Sequence, residues 1–352
     1  MAETAILGAE EIRAAKSENL KLRARDLADK LKISEAELVA ADCGKGVTRV
    51  DPHPDRIMWA AQILGEVMAL TRNDSCVHEK VGIYDNYHPG AHAAMVLTDD
   101  IDLRIFPSHW KHAFMVEAPT DAGTRRSLQV FDAAGDAVHK IFLRDASNHL
   151  AWQDLRHDLQ LADQSPELEV DPRKPPEAPK SDAGKAEILR KEWKRMTDTH
   201  QFLRLTSKLK MNRLGAYRVA GAPFVRAVEP AAVNLALKQL AEDGTEVMVF
   251  VGNRGCIQIH QGPIVTLKEM GPWQNVLDPG FNLHLRLDHI AEVWAVDKPT
   301  QRGAAVSLEA FNDRGGLIFQ MFGVGKEGRD SRPAWRDLVA GLPDLKTREF
   351  QE

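Results

Sequence analysis

The sequence predicts an α+β protein, a tandem duplication of a module that combines helices with an antiparallel sheet. Three observations lead to this prediction: the chain of 352 residues resembles itself, each copy passes from helical to alternating patterns, and a proline-rich segment separates the copies. Helices followed by hairpins are typical of the α+β class. We therefore expect an N-terminal module over residues 1–160, a linker over 161–185 and a C-terminal module over 186–345.

The internal repeat is clearest between residues 101–135 and 281–315, which align at an offset of 180. Identical pairs at this offset include His109 and His289, Ser127 and Ser307, Leu128 and Leu308, Phe131 and Phe311, and Gly135 and Gly315. The match extends backwards at an offset of 178, where residues 30–33 align with residues 208–211. Copies of this length indicate two large modules rather than an array of short repeats.

Each copy contains a segment in which apolar and polar residues alternate. In the first copy, residues 127–142 alternate on both sides of a turn that contains Gly135, and residues 306–322 have the same pattern in the second copy. Alternation interrupted by glycine predicts a β-hairpin. The linker is predicted because five of the eighteen prolines fall between residues 161 and 185.

Composition limits the classes of function. A net charge of −5 argues against a dedicated nucleic-acid binder, since such proteins usually carry a basic surface. The apolar runs are much shorter than a membrane span. The three cysteines are widely spaced and form no CxxC pair, as in proteins of a reducing compartment. We expect a cytoplasmic protein that does not insert into membranes.

A histidine in the second copy departs from the first copy. Residues 185–206 have the spacing of a single helix, in which His200 shares a face with the apolar residues Leu189, Trp193, Met196 and Leu203. At an offset of 178 the first copy has Leu22 instead of His200. Two interpretations remain: a core histidine with one hydrogen bond, or an imidazole presented to a metal.

The start of the next helix also differs between the copies. Ser34–Glu37 has the pattern of a capping box, whereas Asn212–Gly215 keeps the cap but puts Arg213 at the first helical position. A cation is unfavourable there, because a helix N-terminus carries partial positive charge. Arg213 is therefore either the cation of an anion-binding site or an exposed surface arginine.

These residues resemble those of a known family. The segment Asp198–Phe202 followed by Arg213, the segment Ile101–Phe106 and the duplicated architecture are similar to those of bacterial haemin-degrading, cytoplasmic haem-trafficking proteins, the HemS/ChuS-like family. The resemblance extends over nearly the whole chain. It implies two halves that each contain antiparallel sheets and helices, with haem (iron protoporphyrin IX) bound in the C-terminal half between helix and sheet.

The resemblance also implies roles for individual residues. His200 corresponds to the histidine that ligates the haem iron. Arg104 corresponds to an arginine of the N-terminal half that reaches the other face of the haem and acts in catalysis. The alternative for Arg104 is an ion pair with Asp102 or Glu117. Further haem-contacting positions are Phe106, Arg213 near the propionates, Phe250, Lys298, Gln320 and Phe322.

For three of these positions an ordinary structural role is the alternative. The alternatives are a hairpin aromatic for Phe250, a surface charge for Lys298 and an outward strand residue for Gln320. Two positions differ from some relatives, which have tyrosine in place of Phe322 and arginine in place of Gly325. The adjacent Lys326 would then supply the charge that Gly325 lacks.

Two functions fit this resemblance. In the first, the protein degrades haem oxidatively, as a haem oxygenase does, while a reductant supplies electrons. In the second, it is a carrier that delivers haem to a separate haem oxygenase without turnover. The expected partners are haem itself, a haem oxygenase or an inner-membrane haem importer, and an electron donor. Both functions use the same pocket, and of the two we favour degradation.

Overall fold

The computed structural model describes residues 7–121 and 123–346 and divides into two compact units. The first unit comprises the described residues up to Arg72, together with Glu79–Lys174 and Gly252–Gln258. The second unit comprises Asn73–His78, Pro175–Val251 and the described residues from Ile259 onward. The main division of the chain, between Lys174 and Pro175, falls within the proline-rich segment 161–185.

The chain up to Lys174 forms helices and short strands. The helices are α1 (Ala9–Glu18), α2 (Ala24–Leu31), α3 (Glu35–Ala40), α4 (Pro54–Leu64) and α5 (Trp152–Leu159). The strands are β1 (Val47–Val50), β2 (Val67–Arg72), β3 (Cys76–Gly82), β4 (Tyr87–His88), β5 (Ala94–Leu97), β6 (Asp102–Ile105), β7 (His112–Thr120), β8 (Gly123–Phe131) and β9 (Ala137–Leu143).

The chain from Pro175 onward also forms helices and short strands. The helices are α6 (Ala186–Lys194), α7 (Gln201–Lys208), α8 (Arg213–Ala220), α9 (Ala232–Asp243) and α10 (Arg332–Gly341). The strands are β10 (Val225–Val228), β11 (Val247–Gly252), β12 (Cys256–Gly262), β13 (Leu267–Met270), β14 (Trp273–Asp278), β15 (Phe281–Arg286), β16 (Glu292–Thr300), β17 (Gly303–Phe311), β18 (Leu317–Gly323), β19 (Gly325–Lys326) and β20 (Arg329–Asp330).

Strand pairing is the same in both units. In the first unit, antiparallel pairs join strands in the order β1-β7-β8-β9-β2, and β4-β5-β6 form a further set. In the second unit, β10-β16-β17-β18-β11 and β13-β14-β15 repeat both patterns. The two predicted hairpins are β8–β9 and β17–β18. The predicted α+β duplication is thereby confirmed.

In the second unit, the sheet β10-β16-β17-β18-β11 has helices on both faces. Helices α9 and α10 pack on one face, against residues such as Val249, Leu308 and Met321. Helices α6, α7 and α8 pack on the other face, against Val296 on β16 and Phe311 on β17. The rest of this second face, on β18 and β11, carries half-buried side chains.

None of the helices in residues 7–121 and 123–346 is both long and apolar enough to cross a bilayer.

Candidate functional site

Aromatic and polar side chains share the second face of this sheet. Phe250 on β11 is paired with Gln320 on β18, which is paired in turn with Glu309 on β17. Phe322 lies two residues beyond Gln320, and residues that are paired directly or two apart point to the same face. The ring centroids of Phe250 and Phe322 are 5.2 Å apart. We call the half-buried surface of Phe250, Gln320 and Phe322 the floor.

A buried group of charged and hydroxyl side chains adjoins the floor. Glu309 Oε1 accepts hydrogen bonds from Lys298 Nζ (2.7 Å) and Ser307 Oγ (2.8 Å). Glu309 Oε2 accepts from Arg213 Nη1 (3.0 Å) and from the Tyr217 hydroxyl (2.9 Å). Lys298 Nζ also donates to the Tyr217 hydroxyl at 3.0 Å. We call these five residues the ion cluster.

The charges of the ion cluster do not cancel. Burial opposes the ionisation of Glu309, but Lys298 and Arg213 outweigh burial and hold the pKa of this carboxyl at about 2. Burial lowers the pKa of Lys298 to about 8, against the opposing effect of Glu309. The ammonium form of Lys298 therefore predominates at pH 7. Two cations face one carboxylate, and this net positive charge suits an anionic ligand.

Two alternatives from the sequence are wrong. Lys298 is buried, so it is not a surface charge. The side chain of Arg213 is only 22% exposed and binds Glu309, so it is not an exposed surface arginine. The predicted cap is present, since the Asn212 side chain accepts a hydrogen bond from Gly215 N (3.0 Å). Arg213 binds a carboxylate of the protein itself, and its role towards a ligand stays a prediction.

The single helix predicted over residues 185–206 is also wrong. Helix α6 ends at Lys194, and α7 begins after His200, which is its N-cap. The break has a physical cause: Asp198 Oδ1 accepts a hydrogen bond from His200 N (2.7 Å), a donor that a continuous helix would use internally. The side chain of His200 is 92% exposed, so the interpretation as a core histidine is wrong.

Asp198 also orients the imidazole of His200. Its Oδ1 lies 2.7 Å from His200 Nδ1. The hydrogen bond from the backbone N–H of His200, and to a lesser extent the one from its ring, lower the pKa of the Asp198 carboxyl. A carboxylate on one ring nitrogen fixes the tautomer and leaves the other nitrogen, Nε2, as a donor to metal. This arrangement is common among metal-ligating histidines.

The loop that carries His200 is attached to the ion cluster. Phe202 follows two residues after His200, and Lys298 Nζ lies 5.1 Å from the centroid of the Phe202 ring. Phe202 therefore connects the start of α7, whose N-cap is His200, to the ion cluster. The loop is also fixed to the turn between β16 and β17, where Gln301 N donates to Thr197 O (3.0 Å).

Arg104 and Phe106 belong to the first unit. Arg104, on β6, forms an ion pair with Asp102 and donates a hydrogen bond to Leu103 O (3.1 Å). One ion pair considered as the alternative for Arg104 is therefore present. Phe106 follows β6, is half-buried, and its backbone N donates to Gly255 O (3.0 Å). The roles of Arg104 and Phe106 towards a ligand stay predictions.

Sequence reasoning assigned no role to Tyr217 or Glu309. The repeat contains a signal for both, because Glu309 aligns with Gln129 at an offset of 180, and Tyr217 aligns with Val39 at an offset of 178. In each case the second copy has a hydroxyl or a charge at a position where the first copy, which has the same fold, has neither. Departures of this kind mark the ion cluster as well as His200.

Comparison with known proteins identifies the family. The sequence profile of the haemin-degrading HemS.ChuX domain matches residues 32–159 and again residues 210–342. The chain belongs to this family. The two matches fall one in each copy of the repeat, and they include the segments that form α8 and the floor.

Relatives of this family align with nearly the whole chain. The hemin transport protein HmuS of Yersinia pestis is 37% identical over 329 residues, which are 93% of this chain and 95% of that protein. Among solved structures, holo-PhuS, a heme-binding protein from Pseudomonas aeruginosa, is 41% identical with a TM-score of 0.91, and 96% of this chain covers 100% of that chain. ChuS, described as an E. coli heme oxygenase, is 34% identical with a TM-score of 0.84, at coverages of 94% and 99%.

Proposed function

We propose that this chain binds haem on the floor of the second unit, with His200 as the iron ligand, and degrades it oxidatively when a reductant is supplied. Haem is the ligand because the family binds haem. One observation supports the proposal most strongly. Five residues that were predicted from the sequence to contact haem lie on four different elements, yet all five lie on or beside one face of one sheet. They are Arg213, Phe250, Lys298, Gln320 and Phe322.

The chemistry of these residues fits haem. Haem is a large apolar plate with two carboxylates and an iron that needs an axial donor. The floor offers two aromatic rings to the plate. The ion cluster offers net positive charge to the carboxylates, and His200 offers an oriented imidazole to the iron.

Each group has a separate task in this proposal. Asp198 holds the imidazole of His200 in the tautomer that leaves Nε2 for the iron. Lys298 and Arg213 attract the carboxylates, while Glu309 lets these two cations lie close together. Haem supplies the redox chemistry when it is bound. We assign to Arg104 a part in the reaction, because its guanidinium can donate charge-assisted hydrogen bonds.

A carrier without turnover is the second candidate. The family profile is described as haemin-degrading and ChuS as a heme oxygenase, whereas PhuS is described as heme-binding and HmuS as a hemin transport protein. The 92% exposure of the His200 side chain favours a carrier, since an exposed ligand is accessible to a partner that takes over the haem. Under either function we place the protein in the cytoplasm, with an inner-membrane haem importer or a haem oxygenase as partner.

Addition of ascorbate to the haem complex in air tests the choice. If the protein degrades haem, we expect the Soret band to disappear, and to disappear more slowly in Arg104→Ala. That variant should keep most of its haem affinity, because affinity comes from His200 and the floor. Arg126→Ala is the matched control, since Arg126 is another ion-paired arginine of the first unit. A stable Soret band would contradict degradation and support the carrier function. Equal rates of Soret loss in the wild type, Arg104→Ala and Arg126→Ala would show that Arg104 takes no part in the reaction.

A further inference from the structure

Gly325 has no side chain, and the space beside it is filled by Arg332. A Cβ atom at Gly325 would lie 2.9 Å from Arg332 Cδ and Nε and 3.2 Å from Cζ. The Arg332 side chain therefore occupies the place where a long side chain at position 325 would begin. Gly325 opens the hairpin β19–β20, three residues after the floor residue Phe322.

Arg332 reaches the same turn that holds the loop of His200. Its Nη1 donates to Arg302 O (3.0 Å) in the turn between β16 and β17. The neighbouring Gln301 N donates to Thr197 O, three residues before His200. The guanidinium therefore lies beside the turn between β16 and β17, to which the loop of His200 is also hydrogen-bonded.

The present partner of Arg332 is replaceable. Asp330 accepts hydrogen bonds from Arg332 Nε and Nη2, both at 2.7 Å. The two side chains are 37% and 45% exposed. Ion pairs that are this exposed contribute little to stability. Another carboxylate can take the place of Asp330, because the planar guanidinium offers the same two parallel donors to either.

We propose that Arg332 binds a carboxylate of haem at the rim of the site, and that Asp330 occupies this arginine until haem arrives. The inference rests on the proposed function, because it requires haem on the floor. It replaces the prediction that Lys326 supplies the charge that Gly325 lacks. Because Arg332 can exchange the carboxylate of Asp330 for one of haem, it adds affinity for haem with free carboxylates. It does so without adding a buried charge to the haem-free protein.

The test compares haemin with its dimethyl ester, in which both carboxylates are blocked. Absorbance titrations give the Kd of each ligand for the wild type, for Arg332→Ala and for Arg336→Ala, which removes the same charge one turn further along α10. We expect Arg332→Ala to bind haemin about tenfold more weakly and the ester within about twofold of the wild type. Arg336→Ala should bind both ligands as the wild type does.

Two further variants test the position of the guanidinium and the exchange of Asp330 for a haem carboxylate. Gly325→Arg in the Arg332→Ala background should restore haemin affinity, because it places a guanidinium in the vacated space. Asp330→Asn should strengthen binding of haemin a few-fold and leave the ester unchanged, because it removes the competing carboxylate.

Three results would overturn the inference. They are equal losses for haemin and the ester in Arg332→Ala, equal losses in Arg332→Ala and Arg336→Ala, and a haemin-specific loss in Lys326→Ala without one in Arg332→Ala. Failure of the wild type to bind haemin would contradict the proposed function itself, and this inference with it. The two kinds of failure are therefore distinguishable.

Discussion

Asp198 orients the imidazole of His200. Its carboxylate lies 2.7 Å from Nδ1 and also accepts from the backbone of His200. We expect Asp198→Ala to bind haemin about ten- to hundredfold more weakly, the usual effect of removing the group that orients a metal-ligating histidine. Titration and haem dissociation rates measure this, with Thr199→Ala in the same loop as the control. Equal affinities of Asp198→Ala and the wild type would contradict the orienting role.

A buried polar group in the first unit has an apolar counterpart in the second copy. His139 Nδ1 lies 2.8 Å from Thr71 Oγ1, and its Nε2 lies 2.6 Å from the Tyr84 hydroxyl. Burial lowers the pKa of His139 to about 3. The ring is therefore neutral at pH 7, with a hydroxyl at each nitrogen. At an offset of 180, the residues aligned with Thr71, Tyr84 and His139 are Val251, Ile264 and Phe319.

We expect His139 to make the protein less stable in acid. Its pKa is about 3 when folded and 6.5 in its ordinary state, so between these values the unfolded chain binds a proton that the folded chain does not. The free energy of unfolding therefore decreases as the pH falls below about 6.5, by up to ~1.4 kcal/mol per pH unit from this residue.

Urea unfolding at pH 7 and pH 5 measures the effect of His139. His139→Phe installs the residue found at the aligned position of the second copy, and the free energy of unfolding of this variant should change less between the two pH values. The variant is also expected to be less stable at pH 7, because the hydroxyls of Thr71 and Tyr84 lose their partner. An identical change with pH in both proteins would refute the assignment of this titration to His139.

Among the elements, the hairpins followed from the sequence and one helix did not. Alternation over residues 127–142 and 306–322 predicts β8–β9 and β17–β18, because a period of two decides which side chains face the core. The helix predicted over residues 185–206 failed because its spacing counts apolar residues alone. The break is stabilised by side-chain hydrogen bonds within the loop, from His200 N to Asp198 Oδ1 and from Thr197 N to Gln201 Oε1, and the spacing of apolar residues does not reveal them.

The proline-rich segment is tied to the start of α8. Asn212 Oδ1 accepts from Lys180 N (3.0 Å), and Asn212 Nδ2 donates to Ala178 O (2.8 Å). The same Oδ1 caps α8 at Gly215 N. We expect Asn212→Ala to lower the free energy of unfolding by about 1–2 kcal/mol and to speed proteolysis of this segment.

The control for this prediction is Asn212→Asp, which keeps the acceptor for Lys180 and Gly215. Limited proteolysis with trypsin and urea unfolding compare the two variants with the wild type. Cleavage of Asn212→Ala at the wild-type rate would show that the segment does not depend on the cap.

Over the whole molecule, the duplication was predictable, whereas only two of the five residues of the ion cluster, Arg213 and Lys298, were named from the sequence. In the first copy the carboxylate is on the helix, where Glu35 binds Lys140 and Arg72. In the second copy the cation Arg213 is on the helix and the carboxylate Glu309 is on a strand. The sequence reveals the reversed charge at the helix start. Its partner is 96 residues away and becomes a neighbour only when the sheet and α8 pack together.

The central claim is that haem binds to the second copy through His200, at a position where the first copy has Leu22. An absorbance titration of haemin into the wild type and His200→Ala tests this claim most directly. We expect about one haem per chain, with a histidine-ligated spectrum in the wild type that is lost or strongly altered in the variant. Circular dichroism should not change, because the His200 side chain is 92% exposed. A stoichiometry near two, or an unaltered spectrum and affinity in His200→Ala, would contradict the assignment of the iron ligand.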